Sequence, residues 1–149
     1  MKVITFVNTK KVLLVESTVA KTLQEIAQSE SLQFAVLEEG EDLSGIHLEH
    51  ADLRNATLRG ANLNGAVLHE CDLFSATLEN ADFTNADLRG TVFDFARLKN
   101  AKFTNADLRN CEFRSCDIST CHFEGARTEG IKIDPDMINW NSTLKLEKQ

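Results

Sequence analysis

The side chains able to do chemistry in this 149-residue chain are few, and their spacing limits what they can do. Four histidines, His47, His50, His69 and His122, are scattered without an H-x-x-x-H pair, and no cysteine stands at zinc-finger spacing. Metal ligation needs several such groups converging on one point, so neither a metal nor any other cofactor is expected. Cys111, Cys116 and Cys121 are five residues apart, with Cys71 further upstream. They read as reduced thiols packed as small core residues. Carboxylates also come in pairs, Asp82 with Asp87 and Asp107 with Glu112. Acid–base catalysis needs such a pair in a cleft that drives the two pKa values apart, and nothing in the pattern builds one. The Asn55–Thr57 and Asn141–Thr143 glycosylation triplets have no signal-peptide-like run to give them meaning, and no glycine-rich phosphate loop occurs. The expectation is a protein that is not an enzyme.

What positions these residues is a five-residue repeat. From Leu43 to Phe123 every fifth residue is large and apolar, including Leu53, Leu63, Leu73, Phe83, Phe93, Phe103 and Phe113. Two residues before each of these centres, from Ala51 to Ala126, stand only Ala, the four cysteines and Thr91. A helix rotates by about 140° over five residues and would scatter the centres around its circumference. A strand would send alternate centres to opposite faces, because the period is odd. A chain that turns through a right angle every five residues points every centre inward and repeats every twenty. NADFTNADLRG at 80–90 returning as NAKFTNADLRN at 100–110 shows that longer period directly. It would stack Phe83, Phe103 and Phe123 on one face and Phe93 and Phe113 on the opposite one. The slot two residues after each centre is rich in Gly and Asn, types that tolerate a corner.

The pattern resembles the pentapeptide repeat family over about residues 41–133. The resemblance implies an all-β solenoid, a right-handed quadrilateral β-helix. It is nearly silent on function: members serve as interaction modules, and one subgroup mimics DNA to bind or protect type II topoisomerases such as DNA gyrase. Domain organisation is then expected as a small α/β N-terminal cap over 1–40, the repeat over 41–133 and a C-terminal cap or dimerisation tail over 134–149. In the first segment, Val3–Val7 and Val12–Val15 read as a hairpin. A helix capped by Ser17 or Thr18 should follow to about Ser29, with a short strand at Phe34–Leu37. In the last, Met137, Ile138, Trp140, Leu144 and Leu146 supply apolar contacts for a cap or a homodimer.

The formal net charge is −7, which disfavours direct nucleic-acid binding, and no apolar run is long enough to span a membrane. Cytoplasmic location is the resulting expectation. Within the repeat Arg89 and Arg109 sit beside Asp87 and Asp107, which neutralises the acidic stripe that DNA mimicry would need. The favoured reading is a scaffold for an unknown protein partner. Its candidate docking patch is Phe74, Val92 and Phe95, apolar residues in slots that are polar elsewhere, rimmed by Arg54, Asp72, Asp94 and Arg114.

Overall fold

The computed structural model describes residues 2–7, 9–15, 18–137 and 141–146. Strands β1 (Lys2–Phe6) and β2 (Lys11–Val15) form an antiparallel hairpin, Lys2 opposite Val15 and Phe6 opposite Lys11. Helix α1 (Val19–Ala27) follows, its N-terminus capped by Thr18, whose hydroxyl accepts from the Lys21 N–H at 3.3 Å. Its buried residues Val19 and Leu23 are four apart, and Leu23 faces the first leucines of the repeat. Strand β3 (Ala35–Val36) pairs antiparallel with β1, giving a sheet of order β2-β1-β3. A two-residue parallel pair, β4 (Glu112–Phe113) with β5 (Lys132–Ile133), and a 3-10 turn at Pro135–Met137 complete the regular elements.

The all-β class expected from the repeat, a quadrilateral β-helix, must therefore be corrected, and the description as a β-helical solenoid goes with it. Among the described residues strands are confined to two small open sheets, and the helix stands between β2 and β3 of the first. Through most of the repeat the chain consists of turns joined by isolated parallel bridges, such as Asp42↔Asn62, Asn62↔Asp82 and Asp82↔Lys102. The cause lies in the corners. From Gly40 to Gly130 every fifth residue except Thr120 has a positive φ, between 54° and 77°, so the chain turns before a second consecutive bridge forms.

The twenty-residue period itself is present in that bridging. A regular unit makes four backbone bonds, illustrated around Leu58: its N–H donates to Thr77 O in the next tier, Gly60 N–H donates to Glu79 O, Thr77 N–H donates to Ala56 O, and Ala61 N–H closes the turn on Leu58 O. The centres are buried and the Ala slots between them fill the remaining space. Phe83, Phe103 and Phe123 stack almost parallel, with centroids 5.1 and 5.2 Å apart, and Phe93 stacks on Phe113 at 4.7 Å. The two columns meet edge to face at 5.6–6.1 Å, the arrangement the ring quadrupole favours.

Pairing starts earlier than residue 41. Leu32 N–H already donates to Asp52 O and Leu37 N–H to Thr57 O. Six residues rather than five separate Phe34 (φ 59°) from the next corner at Gly40, and this extra residue hides the register in the sequence.

Candidate functional site

The chemistry-bearing side chains do not converge. No group of three or more His, Cys, Asp or Glu among the described residues is placed to hold a metal ion. The four cysteines are unpaired and buried, and burial pushes the Cys71, Cys116 and Cys121 thiols up to about 12 and Cys111 higher still. Each thiol donates to the carbonyl of a centre in the tier below: Cys71 to Leu48, Cys111 to Leu88 and Cys116 to Phe93, all at 2.8 Å, and Cys121 to Leu98 at 3.2 Å. Thr91 does the same to Leu68 at 2.7 Å. The slot is thus small for packing but also serves as a donor position, which size alone did not reveal.

The same position explains the tail. Asn141, twenty residues beyond Cys121, is buried and its amide donates to Ile118 O and Cys121 O, both at 2.7 Å. Thr143 Oγ1 accepts from Phe123 N–H at 3.0 Å, where a carbonyl of a further tier would stand. Side chains here replace the missing backbone of a next tier. Met137 and Leu144 are buried and Leu146 is exposed; Ile138 and Trp140 lie outside the described residues.

The surface carboxylates are mostly matched within their own unit. Asp52 pairs with Arg54, Asp87 with Arg89 and Asp107 with Arg109, at 2.9, 2.7 and 2.6 Å. The hydrogen bond from Arg54 holds the Asp52 carboxyl down to about 2, and the arginines lower Asp87 and Asp107 likewise. His47 and His50 contact Glu49 and Glu70 at 3.0 Å on the surface.

The residues singled out for docking lie on one side, through which the bridges Asp52↔Asp72, Asp72↔Val92 and Val92↔Glu112 run. Phe74 and Phe95 are 39% and 55% exposed, with ring centroids 5.2 Å apart across adjacent tiers. Val92 is half-buried below them. Arg114 bridges Asp94 at 3.4 Å and Glu112 at 2.6 Å, while Arg54 lies 3.9 Å from Asp72. Phe95 also occupies a corner, at φ 61°, where its neighbours are Asn, Gly or Ser. A bulky side chain in that conformation costs on the order of 1 kcal/mol, and the exposed ring recovers little of it by burial.

The pentapeptide repeats model matches in eight copies, with matched stretches running from residue 42 to residue 127. No curated protein matches the chain. Among solved structures it is similar to a pentapeptide repeat protein of the Arabidopsis thaliana thylakoid lumen, at 30% identity, covering 76% of this chain and 75% of that one, with a TM-score of 0.65. A pentapeptide repeat protein of the cyanobacterium Cyanothece 51142 is 26% identical over 61% of this chain and 62% of its own, with a TM-score of 0.34. QnrB1, a plasmid-mediated fluoroquinolone resistance protein, is 18% identical over 68% and 59%, with a TM-score of 0.47. The thylakoid-lumen protein overturns the cytoplasmic expectation, since a similar chain resides in an organelle lumen. No helix among the described residues is long and apolar enough to cross a membrane. The expectation that net charge rules against a nucleic-acid partner is corrected too, because a summed charge averages over faces that differ: Arg97 and Arg114 are 67% and 48% exposed on adjoining sides of this acidic chain.

Proposed function

Because this chain belongs to the pentapeptide repeat family, we propose that its work is to bind another protein on the side that carries Phe74, Val92 and Phe95. It is a non-enzymatic repeat protein. The observation that carries the proposal is the aromatic pair itself. Two phenylalanines in outward slots touch each other and remain exposed, one of them held at a left-handed corner. Every other phenylalanine in the repeat is buried. An apolar centre rimmed by Arg54, Asp72, Asp94 and Arg114 has the anatomy of a recognition patch. Replacing Phe74 or Phe95 by Asp is expected to leave the melting temperature within a few degrees of wild type and to abolish capture of the specific partner. Unchanged capture by both variants would eliminate the patch.

The alternative is an acidic surface presented to a type II topoisomerase, which family membership supports for one subgroup. The two readings separate in a DNA supercoiling assay with purified gyrase. Inhibition or protection that survives Phe74→Asp and falls with Asp82→Asn and Asp42→Asn, carboxylates without an arginine partner in their own unit, would favour the alternative.

A further inference from the structure

One corner of the repeat fails, and a cleft lies beside it. Thr120 occupies the corner slot but does not adopt the positive φ found at every other corner from Gly40 to Gly130. A β-branched residue is among the least able to take that conformation. The bridge series Thr57↔Thr77↔Arg97 stops there: among the described residues there is no Arg97↔Asp117 bridge. Nor do the Leu98 and Asp117 N–H groups make the bonds that Leu78 and Arg97 make one tier below. Asn100 N–H donates to the Thr120 hydroxyl at 2.9 Å instead. Beside this break lies an open cleft of about 500 Å³ lined by Phe95, Arg97, Leu98, Lys99, Asp117 and Thr120.

Arg97 and Lys99 line this cleft together with Glu79 and Asp117, so its formal charges balance, but their exposures differ. Arg97 and Arg59 both hold Glu79, but the carboxylate is only 13% exposed while the two guanidiniums are 67% and 44% exposed. On the adjoining rim Asp94 is 14% exposed against 48% for Arg114. Lys99 is exposed and has no ion-pair partner among the described residues; Asp117 is the exposed carboxylate on the opposite wall. Cations therefore project outward and most of their counter-charges lie beneath them. Phe95, already in contact with Phe74, forms the wall shared with the docking patch.

We propose that this cleft receives an acidic segment of the partner protein, an apolar side chain packing on Phe95 and Phe74 while its flanking carboxylates reach Arg97 and Lys99. The inference rests on the docking reading above and adds the partner's chemistry. An arginine fork and a mobile ammonium beside an aromatic wall suit a carboxylate next to an apolar anchor, and the unbonded Leu98 N–H adds a donor at the cleft floor.

The test is selection of random twelve-residue peptides displayed on phage against the full chain. Enriched sequences should carry two or more acidic residues around an aromatic or aliphatic one. Binding of a synthesised winner should weaken at least about tenfold in Arg97→Glu with Lys99→Glu at unchanged melting temperature. Thr120→Gly should restore the corner, slow hydrogen exchange at Leu98 and reduce binding by a similar factor as the Leu98 N–H is taken up within the stack. Winners without acidic bias, or the absence of any winner, overturn the inference. So does binding that depends on Phe74 and Phe95 but is indifferent to Arg97, Lys99 and Thr120, although that result leaves the docking patch standing. Acidic winners indifferent to Phe74 and Phe95 overturn the patch instead.

Discussion

The interior is filled in two ways along its length. From Leu43 to Leu78 the centres are leucines, and around Leu53, Leu63 and Leu73 they leave an enclosed apolar space of about 10 Å³ that reaches Leu23 of α1 and ends against Phe83. From Phe83 to Phe123 alternate centres are phenylalanines, and their two stacks lock edge to face. The same backbone bonds run through both halves, broken beside Thr120 among the described residues. The comparison teaches that the repeat's hydrogen bonds set the spacing of the tiers while the centre side chains decide how completely the interior is filled.

The sharpest break of this comparison is truncation of a centre in each half. Phe103, sandwiched between Phe83 and Phe123 and met edge-on by Phe93 and Phe113, should cost about 4 kcal/mol when changed to Ala, against about 3 kcal/mol for Leu63→Ala, measured by urea unfolding. Leu63 already borders unfilled space and loses fewer contacts. A larger cost at Leu63 would contradict the account.

Enlargement should separate the halves in the other sense. Leu68 and Leu108 occupy the same place two periods apart, yet Leu68 lines the apolar space and Leu108 lies among the rings. Leu108→Phe is expected to cost about 2 kcal/mol by overpacking, whereas Leu68→Phe should stay within about 1 kcal/mol of wild type. Equal costs would mean that the space near Leu68 is not available to a side chain.

Donors in the Ala slot test the ends against the middle. Asn141→Ala should cost about 1.5 kcal/mol because two buried hydrogen bonds are lost, the one to Cys121 O and the one to Ile118 O, which keeps only the Cys121 N–H. Cys111→Ala should cost under about 1 kcal/mol, since Leu88 O keeps the Thr91 N–H. Cys71 and Cys111 should both react slowly with a thiol reagent until denaturant is added, being buried with raised pKa values.

The smallest effect is common to both halves. Asp52, Asp87 and Asp107 are held by arginines below the value of about 3.9 that a free aspartate shows. Depressed carboxylates contribute stability that is fully present above the unfolded value and is lost as pH falls through the folded one, near 2 for Asp52. Melting temperature should therefore decline below about pH 4, and less steeply in Arg89→Gln and Arg109→Gln.

Much of this was legible in the chain. An unbroken run of apolar centres at an odd period excludes helix and strand by geometry alone, and the recurrence of NA-x-FTNADLR after twenty residues places Phe83 over Phe103 before any coordinates exist. The hairpin and the Thr18-capped helix followed from apolar spacing and a capping hydroxyl, both local properties. Tertiary structure alone decided the rest. That repeated corners leave single bridges instead of strands depends on the φ of every fifth residue, which the types Ser75, Glu70 and Phe95 do not announce. The extra residue before Gly40 hid the earliest pairing, and the side-chain cap at Asn141 stands in register but carries no apolar centre to mark it. Thr120 is the clearest case. In sequence it is one more polar corner, but its branched side chain keeps it from the left-handed conformation, and only the partners across a twenty-residue offset show which bonds are lost and which cleft lies beside them.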